Sequence, residues 1–492
     1  MRAPLLLVLA VANGVQRGSA IIAPDLSLDT VPIGYFGGNA AHREQPNIDM
    51  LAKCRLVMLE KWEGHCWQDC LAQGPGSGPC QPSCNAEGSI MDTMRRIKAV
   101  NPKVSTVMYL NTLLAFPFYA LVGKYQAANA LTRDSVTNKP IAIRNDNGME
   151  GIFVWGFDTV EGQQLYLDAI RNYTYSGVVD GFFGDKWNKG ATPIERNRPD
   201  GGWEICNKEC GNVSAQQGRQ WNQGKAKVLK AATQYVGDGP YFSYGWFASG
   251  TAEGNVSSNL DGNWQGAPGL RPGTDPRDFI ASVQGWLHGT PSSPPHKYVY
   301  MNPAGDQHWT TDPNDPATLQ GNCVGDCLAR FLLGLEQGVI LGADGWDESY
   351  DKPLGAPLGP AVFIDRTPSN PVATLTRTFS SGTKVVFTYS NTTDPEGTMS
   401  GTGEIWWGGV KPVPHPAPPA PAQYMKCGSC GSSLLASVGF KGGELAANVT
   451  SSPSTCCRLC AETGATCAKW TVRDPNAIAF VPIRFCRIVQ TV

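Results

Sequence analysis

The sequence predicts an α/β fold, namely a (β/α)8 TIM barrel with a short β-hairpin extension and a small disulfide-rich C-terminal domain. Short apolar runs alternate with helical patterns over about 340 residues, which is typical of parallel strands joined by helical crossovers. Two further strand patterns then follow as a hairpin. A proline-rich segment separates this part from a cysteine-rich end, and the 492 residues suffice for one large and one small domain.

Seven apolar runs are predicted as barrel strands because each is short and is followed by a helical pattern. They are residues 33–36, 55–59, 104–110, 178–185, 241–246, 297–302 and 338–341. The eighth strand is left open between residues 362–364 and 384–389, the latter also fitting a hairpin with 403–407. The predicted helices are residues 47–53, 89–100, 159–172, 217–235, 277–287 and 327–337.

The first twenty residues are typical of a secretory signal, with Arg2, a short apolar core and the small residues that end at Ala20. That core is too short to span a membrane, and no later segment is predicted to span one. The formal net charge of −2 becomes −4 without Arg2 and Arg17, which argues against nucleic acid as a partner. We therefore expect a secreted, extracellular protein.

Sixteen cysteines fit an oxidising compartment. The pairs Cys206/Cys210 and Cys323/Cys327 have C-x3-C spacing in loops, which favours disulfides, with zinc ligation as the alternative. Cys54 is expected to be buried. Phosphate-binding, dinucleotide-binding and zinc-protease motifs are absent from the sequence, so neither a catalytic metal nor a cofactor is predicted.

Asp185 is the leading catalytic candidate. It ends an almost wholly apolar run and is followed by Lys186 and Trp187, as expected for a buried strand that presents a carboxylate at the carboxyl-terminal mouth of a barrel. A helix-capping role is the alternative. Asp180 lies five residues earlier, or roughly 16 Å along a strand, so it is expected at the opposite, structural end.

A second carboxylate has to come from another strand, and four places could supply it. Asp306 and Asp347 rank first because each lies near a tryptophan that could raise the pKa of an acid. Glu60 and Glu253 are the others. Glu60 could instead bind substrate or pair with Lys61 or Lys186. Lys186 could hold Asp185 charged or point into solvent.

Aromatic and amide side chains near strand ends predict a carbohydrate cleft, because a sugar ring stacks on a flat apolar face beside polar groups. About half of the aromatic residues are expected to be core packing instead. The predicted substrate-binding residues are Glu60, Trp62, Asn111, Lys186, Trp187, Trp246, Asn302 and Trp346.

The large domain resembles glycoside-hydrolase-type TIM barrels of the α-galactosidase-like and endo-polygalactosaminidase-like groups. The resemblance is carried by the run from Asp180 to Asp185 and by residues 350–360, and it covers about residues 30 to 410. It implies that Asp185 is the nucleophile or base on the fourth strand, with the acid on a later strand.

The cysteine-rich end is similar to PAN/Apple domains, on the C-C-x-x-C-x6-C spacing from Cys456 and the Lys469-Trp470 strand that follows. Such a module implies a protein or glycan ligand. The expected domains are therefore a signal (1–20), a glycosidase-like barrel with its β extension (21–410), a proline-rich linker (411–424) and a PAN/Apple-like module (425–492).

Two functions remain open from the sequence. The first is a secreted glycoside hydrolase that acts on a polysaccharide or glycoconjugate through two carboxylates. The alternative is a non-catalytic carbohydrate- or cell-surface-binding protein with the same barrel. In both cases carbohydrate is the expected partner.

Overall fold

The computed structural model divides the chain into two compact units, Met1–Pro412 and Val413–Val492. It describes residues 21–38, 42–64, 85–143, 152–185, 213–237, 239–244, 262–266, 276–289, 297–302, 323–343, 345–364, 372–393, 399–411, 466–471 and 484–489. In the second unit the described residues form one antiparallel pair of strands, in which Lys469 faces Cys486.

The strands in chain order are β1 (Ile33–Gly37), β2 (Leu56–Leu59), β3 (Ser105–Asn111), β4 (Leu114–Ala115), β5 (Ala142–Ile143), β6 (Ile152–Val154), β7 (Gly181–Asp185), β8 (Tyr241–Tyr244), β9 (Gly262–Gly266), β10 (Tyr298–Asn302), β11 (Val339–Gly342), β12 (Val362–Ile364), β13 (Ala373–Thr378), β14 (Lys384–Thr393), β15 (Met399–Trp406), β16 (Thr466–Thr471) and β17 (Arg484–Val489). The α-helices are α1 (Gln45–Leu51), α2 (Ala86–Val100), α3 (Ala120–Ala127), α4 (Val160–Tyr175), α5 (Ala215–Val236), α6 (Pro276–His288) and α7 (Asp326–Gly334).

Eight parallel strands close into a barrel in the order β1-β2-β3-β7-β8-β9-β10-β11, and β11 pairs with β1. The seven strands predicted from the sequence all take part. The two candidates for the eighth strand were wrong, since they form β12 and β14 of a separate antiparallel sheet. The missing barrel strand is β9, whose sequence Gly-Asn-Trp-Gln-Gly contains one large apolar residue and therefore gives no apolar run.

The extension is a four-stranded antiparallel sheet, β12-β13-β14-β15, that includes the predicted hairpin. The buried side chains of Leu375, Val385 and Phe387 lie on the face of this sheet that packs against α7. The guanidinium of Arg377 donates to the carbonyl oxygens of Leu333 and Leu335 at 2.8 and 2.7 Å. The extension therefore packs on the outside of the barrel and covers the end of α7, which stops at Gly334, three residues before its predicted end.

Side-chain caps explain where three of the helices begin. Asn85, Thr159 and Ser214 each accept a hydrogen bond from the backbone N–H three residues ahead, at 2.8, 3.0 and 3.1 Å. Helix α3 and the small sheet β4-β6-β5, which lie between β3 and α4, were not predicted. Their strands have two or three residues each, which is too short for a periodic pattern.

The barrel interior is filled by side chains that alternate with outward-facing ones along each strand. The inward cluster comprises Phe36, Leu56, Met58, Val107, Tyr109, Phe183, Tyr298, Tyr300 and Ile340. Phe183 packs against Phe36 and Tyr109, with ring centroids 5.1 and 5.7 Å apart. Because the side-chain period is two, the next inward positions after Met58, Tyr109 and Phe183 are those of Glu60, Asn111 and Asp185.

Asp180 lies at the amino-terminal end of the barrel, as predicted. Its side chain accepts hydrogen bonds from the backbone N–H groups of Ile22 and Thr106, both at 2.9 Å. The ammonium of Lys98 lies 2.7 Å from its Oδ2, and both side chains are almost fully buried. The carboxylate thus joins the segment before β1, strand β3 and helix α2.

Two cysteine predictions are confirmed. Cys323 and Cys327 form a disulfide with a Cα–Cα distance of 5.0 Å, which excludes zinc ligation by this pair. Cys54 is a buried free thiol. The pair Cys206/Cys210 lies outside the described residues. No helix in the described ranges is both long and apolar enough to cross a membrane.

We predict that Asp180→Ala lowers the free energy of unfolding by about 3–5 kcal/mol, because it leaves the Lys98 ammonium buried without its carboxylate. Urea denaturation measures this change. Asp168→Ala is the matched control, since it breaks an exposed ion pair with Arg171 and is expected to cost under about 1 kcal/mol. Equal effects of the two substitutions would contradict the structural role given to Asp180.

Candidate functional site

Three neighbouring strands bring polar side chains together at the carboxyl-terminal mouth. In β2 and β3, Leu59 pairs with Met108, and in β3 and β7, Asn111 pairs with Asp185. Glu60 directly follows β2. We call the group formed by Glu60, Lys61, Tyr109, Asn111 and Asp185 the mouth cluster. The carboxyl ends of parallel barrel strands are where active sites lie in enzymes of this architecture.

Asp185 is held in one orientation. Its Oδ2 accepts hydrogen bonds from the Tyr109 hydroxyl and, at 3.0 Å, from the Asn111 side-chain amide. Its backbone carbonyl accepts from the N–H and the hydroxyl of Thr112 at 2.9 and 2.8 Å. With 9% of its surface exposed, the carboxylate is fixed by two donors at the edge of the barrel interior.

The Asn111 amide is oriented by the loop that follows it. Its Oδ1 accepts from the backbone N–H groups of Leu113 and Leu114 at 2.9 and 2.7 Å. The Nδ2 group must therefore point toward Asp185 and Tyr109. Behind it, the indole N–H of the fully buried Trp155 donates to the Asn111 carbonyl oxygen at 2.8 Å. Trp155 is thus core packing and not a binding platform.

Glu60 is the second carboxylate of the mouth cluster. Lys61 donates to its Oε2 twice, from the backbone N–H at 3.0 Å and from Nζ at 2.8 Å. Burial raises the pKa of Glu60 to about 7; Lys61 opposes this rise, and the charge of Asp185 adds to it. Both the protonated and the charged form of Glu60 are therefore populated near neutral pH, which is the condition for a general acid.

The separation of the two carboxylates can be judged from the strand order. β3 is the one strand between β2 and β7, so their backbones are about 10 Å apart at about 4.8 Å per neighbour. Side chains directed toward the barrel axis come closer than the backbones do. The charge of Asp185 contributes to the raised pKa of Glu60, which agrees with a short distance between the two carboxylates.

Aromatic rings surround the Lys61 ammonium. Its Nζ lies 4.2, 4.6 and 5.4 Å from the ring centroids of Tyr109, Trp62 and Phe116. Trp62 is partly exposed and packs on Phe118 at 5.6 Å. The structure therefore places Trp62 beside the mouth cluster, with part of its surface used in packing.

A buried network supports the segment that carries Glu60, Lys61 and Trp62. The guanidinium of Arg43 donates to both carboxylate oxygens of Glu63 at 2.8 and 3.0 Å. It also donates to Asn47 at 2.8 Å and to the Tyr35 hydroxyl at 3.0 Å. These bonds join β1, α1 and the segment after β2. They therefore hold in place the segment that carries Glu60 and Lys61.

Asp347 and Trp346 lie elsewhere. The Asp347 carboxylate accepts from the N–H of Ser349 at 2.8 Å and caps the 3₁₀ helix Glu348–Asp351. The ammonium of Lys53, which precedes β2 at its amino-terminal end, lies 5.4 Å from the centroid of the Trp346 ring. Trp346 thus lies beside the segment that precedes β2, and these contacts bring neither residue together with Asp185.

Several predicted site residues lie outside the described residues, namely Lys186, Trp187, Trp246, Glu253 and Asp306. Asn302 is the last residue of β10, and its backbone pairs with Gly266. Among the described residues, no group of three or more histidine, cysteine, aspartate or glutamate side chains could hold a metal ion.

The sequence analysis assigned no role to Tyr109 in holding a carboxylate. The available signal was the alternation along β3, since Val107, Tyr109 and Asn111 share one face. Pairing of Lys61 with Glu60 was one of the alternatives that the sequence left open for Glu60, and the structure contains this pair, with Nζ of Lys61 2.8 Å from Oε2 of Glu60.

No protein-family model matches this sequence, and no curated protein matches it. Solved structures that show similarity to this chain include an α-galactosidase from Thermus thermophilus in complex with p-nitrophenyl α-D-galactopyranoside (13% identity, TM-score 0.28, 48% of this chain and 41% of that chain covered). A GH31 family sulfoquinovosidase from E. rectale gives 15% identity, a TM-score of 0.39 and coverages of 66% and 44%. A GH36 α-galactosidase from Geobacillus stearothermophilus has 10% identity and a TM-score of 0.36, and the match covers 73% of this chain and 47% of that chain.

These similar structures are glycoside hydrolases with TIM-barrel-like folds. The matched region spans less than half of the length of each of the three. At such identities and TM-scores the likeness says nothing about the activity of this chain, so its function has to be argued from the mouth cluster.

Proposed function

We propose that this protein is a glycoside hydrolase that acts on a polysaccharide or glycoconjugate through Asp185 and Glu60. The observation that supports this most is the presence of two buried carboxylates at the carboxyl-terminal mouth, Asp185 at the end of β7 and Glu60 directly after β2, with the charge of Asp185 adding to the raised pKa of Glu60. Paired carboxyl groups of glycosidases lie about 5–9.5 Å apart, a range that side chains converging from strands about 10 Å apart can reach.

The two carboxylates differ in the way that the chemistry requires. Asp185, with Tyr109 and Asn111 donating to one oxygen, provides negative charge in a fixed place for the oxocarbenium-like transition state. Glu60, with its pKa raised to about 7, can donate a proton to the departing glycosidic oxygen. The proton moves from Glu60 to the leaving oxygen as the glycosidic bond breaks, and water, the second substrate of hydrolysis, supplies the hydroxyl group that bonds to the anomeric carbon and the proton that restores the acid.

Trp62 and Lys61 would contact the sugar. The partly exposed indole provides an apolar face, and Lys61 can donate to a sugar hydroxyl while it remains paired with Glu60. Lys186, Trp187, Trp246, Asn302 and Asp306 remain proposed members of the cleft on the sequence argument. Secretion and a PAN/Apple-like module that tethers the enzyme to a polymeric target are likewise part of the proposal.

One observation favours a second function, that of a non-catalytic carbohydrate-binding protein. Glu60 is 2% exposed and already paired with Lys61, as in a purely structural ion pair. In that case a sugar would be held at the mouth cluster without turnover. Hydrolysis assays on the wild-type protein separate the two functions directly.

We predict that Asp185→Asn lowers kcat/KM by about 10²–10⁴-fold on whichever glycan in a polysaccharide and aryl-glycoside panel the wild type cleaves. The amide keeps the shape of the side chain but removes the charge that stabilises the transition state. Circular dichroism and the urea midpoint establish that the fold is retained.

Parallel variants identify the partner carboxylate. Glu60→Gln is expected to lose activity on the same scale, whereas Asp347→Asn is expected to retain it because the Asp347 side chain caps the 3₁₀ helix Glu348–Asp351. Loss of activity in Asp306→Asn together with an active Glu60→Gln would assign the acid to Asp306. Full activity of Asp185→Asn would refute the proposed site.

We also predict that kcat/KM falls as the pH rises through about 7, because Glu60 then loses the proton it must donate. The pKa of Glu60 is about 7 in the folded state and 4.5 in the unfolded state. The protonated carboxyl group therefore contributes fully to the free energy of unfolding below pH 4.5, and this contribution is lost as the pH rises through about 7. Unfolding free energies of wild type and Glu60→Gln between pH 4 and 8.5 measure the second effect. A pH-independent difference between them would contradict the raised pKa.

A further inference from the structure

Glu60, Lys61 and Trp62 belong to one tight turn, which Glu63 closes. The backbone N–H of Glu63 donates to the carbonyl oxygen of Glu60 at 3.0 Å, as in a four-residue β-turn. The N–H of Glu60 donates to the carbonyl oxygen of Gly37, the last residue of β1, at 2.9 Å. The proposed acid, its ammonium partner and the proposed sugar-binding indole thus occupy three successive positions of this turn, which we call the β2 turn.

The end of β1 lies directly against the β2 turn. A β-carbon on Gly38 would be 2.8 Å from the β-carbon of Glu60 and 3.1 Å from both the Glu60 carbonyl oxygen and the Glu63 nitrogen. Nonbonded carbon atoms are normally about 3.5–4.0 Å apart. The two segments therefore approach as closely as the absence of a side chain at Gly38 permits, and β1 limits movement of the turn toward it.

The side chain of Glu63 is a second restraint on the turn. Arg43 donates to its Oε1 and Oε2 at 2.8 and 3.0 Å, and the hydroxyl of Thr93 in α2 donates to Oε1 at 2.9 Å. Arg43 is held in turn by Asn47 of α1 and by the hydroxyl of Tyr35 in β1. Arg43 and Glu63 are 1% and 2% exposed. Such a bidentate pair fixes the orientation of the carboxylate as well as its position.

A buried ion pair does not by itself indicate a role beyond folding. A second pair, Lys98 with Asp180, lies at the amino-terminal end of the barrel, and the other bonds of that carboxylate go to Ile22 and Thr106. The pair of Arg43 with Glu63 differs in one respect, because the backbone of Glu63 is bonded directly to that of Glu60.

We propose that Glu63, held by Arg43, is a positioning residue for Glu60 and Trp62. Fixing the Glu63 side chain also fixes the N–H group that bonds the Glu60 carbonyl oxygen. The β2 turn is thereby kept in a conformation that buries the Glu60 carboxyl group beside Lys61 and holds the indole beside the mouth cluster. The effect on catalysis rests on the proposed function, whereas the effect on the position of Glu60 does not.

The pKa of Glu60 reports its position, because burial is the largest cause of its rise to about 7. The titratable groups that are electrostatically coupled to this carboxyl group come from the turn itself, from two barrel strands and from the residue before α3, and they are Lys61, Tyr109, Asp185 and Tyr119. Substitutions in the pair that holds the turn leave all of these groups in the chain. A change in the pKa then measures a change in the surroundings of Glu60.

The variants Arg43→Gln and Glu63→Gln separate position from charge. If the pair acted on Glu60 through its charges alone, loss of the cation would raise the pKa of Glu60 and loss of the anion would lower it. If the pair positions the turn, either substitution loosens the turn, exposes the Glu60 carboxyl group to water and lowers its pKa. We expect a fall of about one unit in both variants, a tenfold change in proton affinity. The measurement is NMR on protein labelled with ¹³C at the glutamate carboxyl carbons and assigned with Glu60→Gln.

A rise of the pKa in Arg43→Gln overturns the proposal, and so does an unchanged pKa in both variants. Asp180→Asn is the matched control, since it breaks the other buried pair and is expected to lower the urea midpoint without changing the pKa of Glu60. An equal fall of the pKa in Asp180→Asn would show a general loosening of the barrel and would also overturn the proposal.

A milder variant serves where the charge substitutions prevent folding. Thr93→Val removes one donor to Glu63 and changes neither charge nor side-chain shape. The pKa of Glu60 is expected to fall by roughly half a unit in this variant, about a threefold change in proton affinity. An unchanged pKa in folded Thr93→Val contradicts the proposal.

Failure of this inference can be distinguished from failure of the proposed function. On a glycan that the wild type cleaves, Glu63→Gln is expected to lower kcat/KM by about 10–10²-fold through both kcat and KM, because one turn carries the acid and the indole. If the pKa of Glu60 falls in both charge variants while the wild type cleaves no glycan, the positioning role stands and the hydrolase is excluded. If cleavage depends on Asp185 and Glu60 while the pKa is insensitive to Glu63, the hydrolase stands and the positioning role is excluded.

Discussion

The hydrogen bonds of the Asn111 side chain are the interaction on which the mouth of this barrel depends. One end of the amide accepts two backbone N–H groups of the loop after β3, and the other end donates to Asp185 and to the Tyr109 hydroxyl. A single side chain thereby joins a loop, an aromatic ring of the barrel interior and the leading catalytic candidate. Because all these groups are buried, each unmade bond would cost more than a surface bond is worth.

The mouth cluster also shows how burial can raise the pKa of a carboxyl group. Two carboxylates and one ammonium occupy a space walled by Tyr109, Trp62 and Phe116, where charge is poorly solvated. Lys61 compensates part of that cost for Glu60, but burial dominates, so the pKa of Glu60 rises. A cation that fully offset the cost of burying the charged form of Glu60 would lower its pKa, and the group would then carry no proton near neutral pH.

Two aspartates five positions apart show how the two ends of one barrel strand differ in their surroundings. Asp180 is paired with Lys98 and with backbone N–H groups of two other segments at the amino-terminal end, which makes it a structural link. Asp185 stands at the other end among donors that orient it toward the mouth. Because their positions differ by five, an odd number, their side chains also lie on opposite faces of the strand.

The sequence by itself determined the barrel, seven of its strands, the hairpin, the Cys323–Cys327 disulfide and the placement of Asp180 and Asp185 at opposite ends of one strand, because each follows from a local pattern of apolar residues or spacing. It could not find β9, which has two glycines and two polar residues in five positions. Only the tertiary structure decided that Glu60 joins Asp185, whereas Asp347 caps a 3₁₀ helix elsewhere. The physical reason is that the strand order around the barrel and the path of the chain after each strand set which side chains meet, and both depend on contacts between residues far apart in sequence.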